Sequence, residues 1–208
     1  MKAIPTAHDR SFVPYAPGTD PDFDKCLPDI ELQEGVAWSS GPMPGRAWSN
    51  DAHDPGGMTG EGITQKEYFV ILQQWGLPLT PVRNMTKDQE RTIYYTRYWL
   101  PYCPKLPDGM NLEFFNMSVN GGGTRAIKEL QIVLHISADG VWGPGTEEAV
   151  ITLQAAGNPS QAIIDYKNAC DRFYEAIPGF RWFGKDWLRR DSEIEQEAEA
   201  IDGPGQPA

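Results

Sequence analysis

Cysteine is scarce, with three in 208 residues. Cys26, Cys103 and Cys170 are far apart, odd in number and without CxxC spacing. That pattern argues against a disulfide framework and a thiolate zinc site, and leaves free, partly buried thiols as the expected state. His53 has no second His or Cys at ligand spacing and reads as a solvated loop residue, so neither a metal nor an organic cofactor is expected. Long apolar runs are also missing. No window approaches the roughly 20 residues of a membrane span, and "MKAIPTAHDRSFVPYAPGTD" lacks the apolar core of an export signal. Positive charge is short as well: 18 basic against 29 acidic residues give a net charge of -11. Phosphate backbones and anionic bilayers repel such a surface, so no nucleic acid or membrane is expected as a partner. No Ser/His/Asp set, no Cys with a partner His and no metal cluster supports a protease or a nuclease.

What is present describes a globular chain. The apolar fraction of 40% is enough for a real core, while 18 Pro, 21 Gly and 7 Trp imply short elements and many turns. Two unequal lobes are expected. Residues 1–22 carry four prolines without hydrophobic periodicity and read as an extended arm. Phe23, Leu27, Ile30 and Leu32 form an imperfect helical stripe broken by Pro28, a short helix that carries an acid, Glu34, at its end. The loop "VAWSSGPMPGRAWS" follows, in which Trp38 and Trp48 either pack on the body or contact a partner.

Thr64-Gln65-Lys66-Glu67 spells a capping box ahead of Tyr68, Ile71, Leu72 and Trp75, and a helix is expected to run to Gly76. A second box, Thr86-Lys87-Asp88-Gln89, opens a helix bearing Ile93, Tyr94, Arg97 and Tyr98, an aromatic set read as core. "LEFFNMSVN" predicts an apolar helix, and the glycines at 121–123 predict a sharp elbow before a helix with Ala126, Ile127, Leu130, Val133 and Leu134 inward. Thr146 is expected as the next N-cap. Two closing helices follow, and "DSEIEQEAEAIDGPGQPA" reads as a solvated helix end and tail. The chain is expected to be mainly α, with strands confined to residues 35–63.

An acid at a helix end, followed after a loop by Asp54 on a Pro-Gly-Gly turn and by Thr59, suits hydrolysis of a glycosidic bond. One carboxylic acid protonates the leaving oxygen, and an opposing acid stabilises positive charge or positions water. Glu34 among apolar neighbours would be held protonated, while Asp54 in a polar turn would stay ionised. Read on their own, Asp54 is equally an Asx-turn residue, and Thr59 and Asn120 are equally structural hydrogen-bonders.

The segments "FDKCLPDIELQEG", "DPGGMTGEGITQKEY", "FFNMSVNGGGTRAIKELQ" and "ADGVWGPGT" together resemble glycoside hydrolase family 108, lysozyme-like muramidases with a C-terminal predicted peptidoglycan-binding segment. The resemblance implies an α+β lysozyme-like fold: a helical bundle with a small irregular or β lobe and a helical C-terminal segment. Between the extended arm at 1–22 and the acidic tail at 191–208, both read from composition, it implies a catalytic domain at 23–120 and a peptidoglycan-binding-like segment at 121–190. It further implies Glu34 as general acid, Asp54 as the group that orients water or stabilises charge, and Thr59 as support for that water. Trp38, Tyr68, Asn120 and Trp142 become candidates for substrate contact. Four features depart from the family pattern: Val36 replaces a glycine, Trp38 takes the place of the usual neighbouring aromatic, Phe115-Asn116 stands for Phe-Asp, and Asp186-Trp187 stands for Gly-Trp. Nineteen residues separate Glu34 from Asp54, so part of that stretch reads as an insertion.

The implied substrate is the β-1,4 bond between N-acetylmuramic acid and N-acetylglucosamine in peptidoglycan strands. The implied setting is synthesis in a bacterial host's cytoplasm and action on the periplasmic wall. The acidic charge, the arm and the 36–49 insertion suit contact with other virion proteins in a phage tail lysin, with a released endolysin as the other option. A non-catalytic binding or structural module on the same scaffold is the alternative of a different class.

Overall fold

The computed structural model describes residues 12–33, 48–49, 59–60, 63–157 and 159–202; for 33, 48–49, 59–60 and 202 the backbone course alone is described. Its elements run α1 (Pro21–Gln33), β1 (Trp48–Ser49), β2 (Thr59–Gly60), β3 (Ile63–Thr64), α2 (Gln65–Gln74), α3 (Lys87–Ile93), a π-helix (Tyr94–Trp99), α4 (Met110–Gly121), α5 (Gly123–Val133), α6 (Pro144–Ala156), α7 (Ser160–Ala176) and α8 (Phe180–Asp202). Short 3-10 turns lie at Val82–Asn84 and Cys103–Lys105. The architecture is mainly α with one small antiparallel sheet in the order β1-β2-β3, as the residue pattern implies.

α4 is the axis of the body. Every residue from Met110 to Val119 is buried, the polar Asn111, Glu113, Asn116 and Ser118 included, because neighbouring elements cover the helix on all sides. It packs against α5, α7, α8 and the π-helix. Phe115 from α4, Phe23 from α1 and Trp99 from the π-helix meet at centroid distances of 5.4 to 5.8 Å. Each such pair adds about 1 kcal/mol beyond its area burial. Trp99 also donates its Nε1–H to Asp20 Oδ2 at 3.0 Å, which ties the entry of α1 to this cluster. Upstream, Tyr15 N donates to Thr92 Oγ1 at 2.8 Å and Phe12 packs on Trp75. Residues 12–20 therefore lie along α2 and α3.

α1 continues through Pro28 instead of breaking there, and buries Phe23, Cys26, Leu27 and Ile30 while Leu32 is exposed. The elbow falls where the glycines predict it. α4 ends at Gly121, and Gly122 turns the chain at φ +83°, a value that favours glycine. Cys26, Cys103 and Cys170 are free and buried.

Thr146 is not an N-cap. Gly143 holds that position with Pro144 at the first helical residue. Thr146 is buried inside α6, where its Oγ1 accepts from Gln131 Nε2 at 3.0 Å. Gln131 organises the whole 139–146 turn, donating also to Asp139 Oδ1 and Val141 O and accepting from Gly140 N. α8 also differs from its expectation: the stretch read as solvated buries Asp191, Ile194 and Ala198 to 1% exposure or less.

The box at Thr86 forms completely, with Thr86 Oγ1 accepting from Gln89 N at 3.2 Å and Gln89 Oε1 accepting from Thr86 N at 2.9 Å. Thr86→Ala is expected to lower unfolding free energy by about 1 kcal/mol in a denaturant titration. An unchanged midpoint would show that the cap adds nothing to tertiary packing.

Candidate active site

Glu34, Trp38 and Asp54 lie outside the described residues. The described residues that flank them in sequence are held as follows. α1 ends at Gln33, and its last turn is fixed by Glu31, which is 7% exposed and pairs with Arg91 Nε at 3.5 Å and Lys87 Nζ at 3.8 Å on α3. From the other side, β2 carries Thr59 opposite Ser49 of β1 and Thr64 of β3. The α3 and π-helix segment touches both. It meets α1 through Arg91 and reaches α2 through Tyr98, whose hydroxyl donates to Glu67 Oε1 at 3.0 Å. Thr59 thus has a fixed backbone position in a small sheet that leads directly into α2.

Tyr68 is not a ligand-facing residue. Its side chain is fully buried, and its hydroxyl donates to Gln89 Oε1 at 2.7 Å, so it locks α2 onto the capping box of α3. Asn120 lies in the last turn of α4, and its Nδ2 donates within that helix to Asn116 O at 2.9 Å and Asn116 Oδ1 at 3.1 Å. Trp142 is half-buried. Its Nε1–H donates to Glu147 Oε2, Tyr102 packs on it at 5.4 Å, and Lys105 Nζ sits 5.2 Å from its ring centre. The Trp142 and Lys105 donors hold the Glu147 carboxyl below its ordinary pKa. Among the described residues no hydrogen bond or ring contact joins Asn120 or Trp142 to the strand lobe.

Glu67 and Tyr98 are polar groups that sequence reasoning assigned to other work. Glu67 was absorbed into a cap and Tyr98 into the core, and spacing alone carries no signal that they meet.

The strongest carboxyl pKa shifts lie away from this frame, between α4 and α8. Burial pushes the Glu113 carboxyl well above its ordinary range, with the nearby Asp191 adding to the effect. Burial pushes Asp191 up to about 6, against the pull of Arg190 and of the Asn116 amide that donates to Asp191 Oδ1 at 3.0 Å. Perturbed carboxyls often mark catalytic sites. These two are 1% exposed, so substrate has no access to them and their part is in packing.

Among the described residues no group of three or more His, Cys, Asp or Glu side chains converges as a metal site. Among the same residues no helix is long and apolar enough to cross a membrane.

Residues 42–122 match the family model described as Glycosyl hydrolase 108. The matched span holds Asp54 and Thr59, begins after Glu34 and ends at the Gly122 elbow. The solved structure of SagA from Brucella abortus is similar to this chain with a TM-score of 0.72 and 26% sequence identity, over 90% of this chain and 99% of that one. No curated protein matches the sequence.

Proposed function

We infer that this chain, which carries a glycosyl hydrolase 108 region at residues 42–122, is a peptidoglycan hydrolase of the muramidase type. The observation that carries the reading is that matched span, because it contains the Asp54-Pro-Gly-Gly-Met-Thr59 turn on which glycosidic chemistry was expected. Glu34 is the proposed general acid, one residue beyond a helix whose final turn Glu31 pins to α3. The glycosidic C–O bond breaks as Glu34 protonates the leaving oxygen, the ionised Asp54 opposes the positive charge left on the sugar, and the water supported by Thr59 adds to that carbon and gives its proton to one of the two carboxylates. Neither metal nor organic cofactor has a step in this scheme.

Reducing-end analysis of purified sacculi after digestion tests the reading. New N-acetylmuramic acid ends are the expected result. New N-acetylglucosamine ends would indicate the other glycosidic bond, and wall binding without new ends would support the non-catalytic alternative. A virion tail setting is supported by the net charge of -11, the proline-rich N-terminal stretch and the 36–49 insertion, and mass spectrometry of purified particles checks it.

A further inference from the structure

We propose that Glu67, held by the Tyr98 hydroxyl, is a substrate-binding carboxylate of the strand lobe that accepts hydrogen bonds from hydroxyl or amide N–H donors of an N-acetylated sugar. The assignment rests on the glycan-hydrolase reading above and adds a residue to it.

Two irregularities of the chain meet at this one hydrogen bond. The first is an incomplete cap. In a capping box the third helical residue turns its side chain back to the N-cap backbone N–H. Gln89 does so in α3. In α2 only half of the box forms: Thr64 Oγ1 accepts from Glu67 N at 3.2 Å, while the Glu67 carboxylate is turned away to Tyr98.

The second irregularity is the π-helix. Its wider turn is seen in Leu100 N donating to Tyr95 O at 2.8 Å, a five-residue step, and it changes the direction in which the aromatic side chains after Ile93 leave the axis. Such turns are uncommon and concentrate at functional sites. Here Tyr98, only 8% exposed, brings its hydroxyl to a carboxylate 31 residues away in sequence.

The carboxylate left in place is poised to accept more. Glu31, Glu129 and Asp171 are each paired with Lys or Arg. Glu67 is half-buried, and among the described residues its one side-chain partner is Tyr98, a neutral donor that occupies Oε1. A carboxylate oxygen is an acceptor, so Oε2 is placed to take a donor from a ligand. Hydroxyl and acetamido N–H groups are the donors an N-acetylated glycan carries. The position agrees: Glu67 lies three residues past Thr64, and Thr64 pairs directly with Thr59. Tyr98 is then a positioning residue, since it acts through Glu67.

Steady-state kinetics on soluble peptidoglycan fragments separates this role from a structural one. Glu67→Ala is expected to raise KM about tenfold with kcat within about twofold, as loss of a charged hydrogen bond made equally in the ground and transition states requires. Tyr98→Phe, which keeps the ring, is expected to raise KM about threefold, and Glu67→Gln, which keeps an acceptor oxygen, to restore part of the loss. Thermal unfolding of each variant reports on the fold. An unchanged KM in Glu67→Ala, or a loss confined to kcat and matched by a lower Tm, overturns the proposal and leaves the hydrolase reading standing. If the wild type does not cleave, binding of an N-acetylglucosamine tetrasaccharide takes over. Weaker binding by Glu67→Ala keeps Glu67 and ends the hydrolase reading, while absence of binding ends both.

Discussion

Glu34→Gln is expected to lower turnover of purified peptidoglycan by about 10³-fold while leaving thermal stability near that of the wild type. Gln matches Glu in shape but has no proton to give the leaving oxygen, and a positioned acid contributes roughly 10²–10⁴-fold to such a step. The effect should fall on kcat, since the proton moves only in the transition state. Asp54→Asn should also impair kcat, because it removes the charge that opposes the developing cation. Initial rates of fragment release, with unfolding midpoints as the control, decide the matter. Turnover by Glu34→Gln within a few-fold of wild type would remove the general-acid assignment, and the hydrolase scheme built on it would fall too.

Local signals in this sequence are legible where one element answers to itself. The Thr86 box, the glycine elbow at 121–123 and the buried apolar length of α4 all follow from spacing within a dozen residues. The same spacing at Thr64–Glu67 gives a different outcome, because Tyr98 competes for the carboxylate from 31 residues away. Nothing local announces that competition, nor the π-turn that makes it possible. Tyr68 is the reverse case: its helical spacing with Ile71 and Leu72 already places it on the buried face of α2. Thr146 fits an N-cap by residue type, yet Gly143-Pro144 sets the cap three residues earlier and leaves the hydroxyl to Gln131. Charge misleads in α8 for a related reason. A run dense in Glu reads as solvated, but a helical period places Asp191, Ile194 and Ala198 on one inward face against α4 and α7. Of the candidate site, the frame is legible through Thr59, whereas the partners of Glu67 and the burial of Tyr68 are tertiary facts.

That inward face carries the second large prediction: the folded chain should become more stable as pH falls from about 8 to about 4. Asp191 is buried with an ordinary carboxyl value of 3.8 raised to about 6 in the fold, mainly by loss of water. A raised acid adds stability that is complete below its unfolded pKa and is lost as pH rises through its folded pKa. The window is therefore about pH 4 to 6, and the difference across it is about 3 kcal/mol at 1.36 kcal/mol per unit. Burial shifts Glu113 in the same direction, with the nearby Asp191 adding to it. Asp29 and Glu195 are raised too, which adds to the trend, while the exposed Asp139 and the half-buried Glu147 are lowered and oppose it. The surroundings do not reverse the sign. Arg190 pairs with Asp191 at 3.6 Å and also donates to the Tyr174 hydroxyl, Lys167 is engaged with Asp171 at 2.6 Å, and Asn116 supplies the one short hydrogen bond. The cation and the amide offset the loss of water only in part. Asp191→Asn keeps an acceptor for Asn116 and abolishes the titration. It should unfold at a higher temperature than wild type at pH 8, converge with it near pH 4, and show a flatter profile between. A wild-type profile without slope from pH 4 to 6, or a variant as steep as the wild type, would mean that water reaches Asp191 and that the α4–α8 contact does not hold its charge out of solvent.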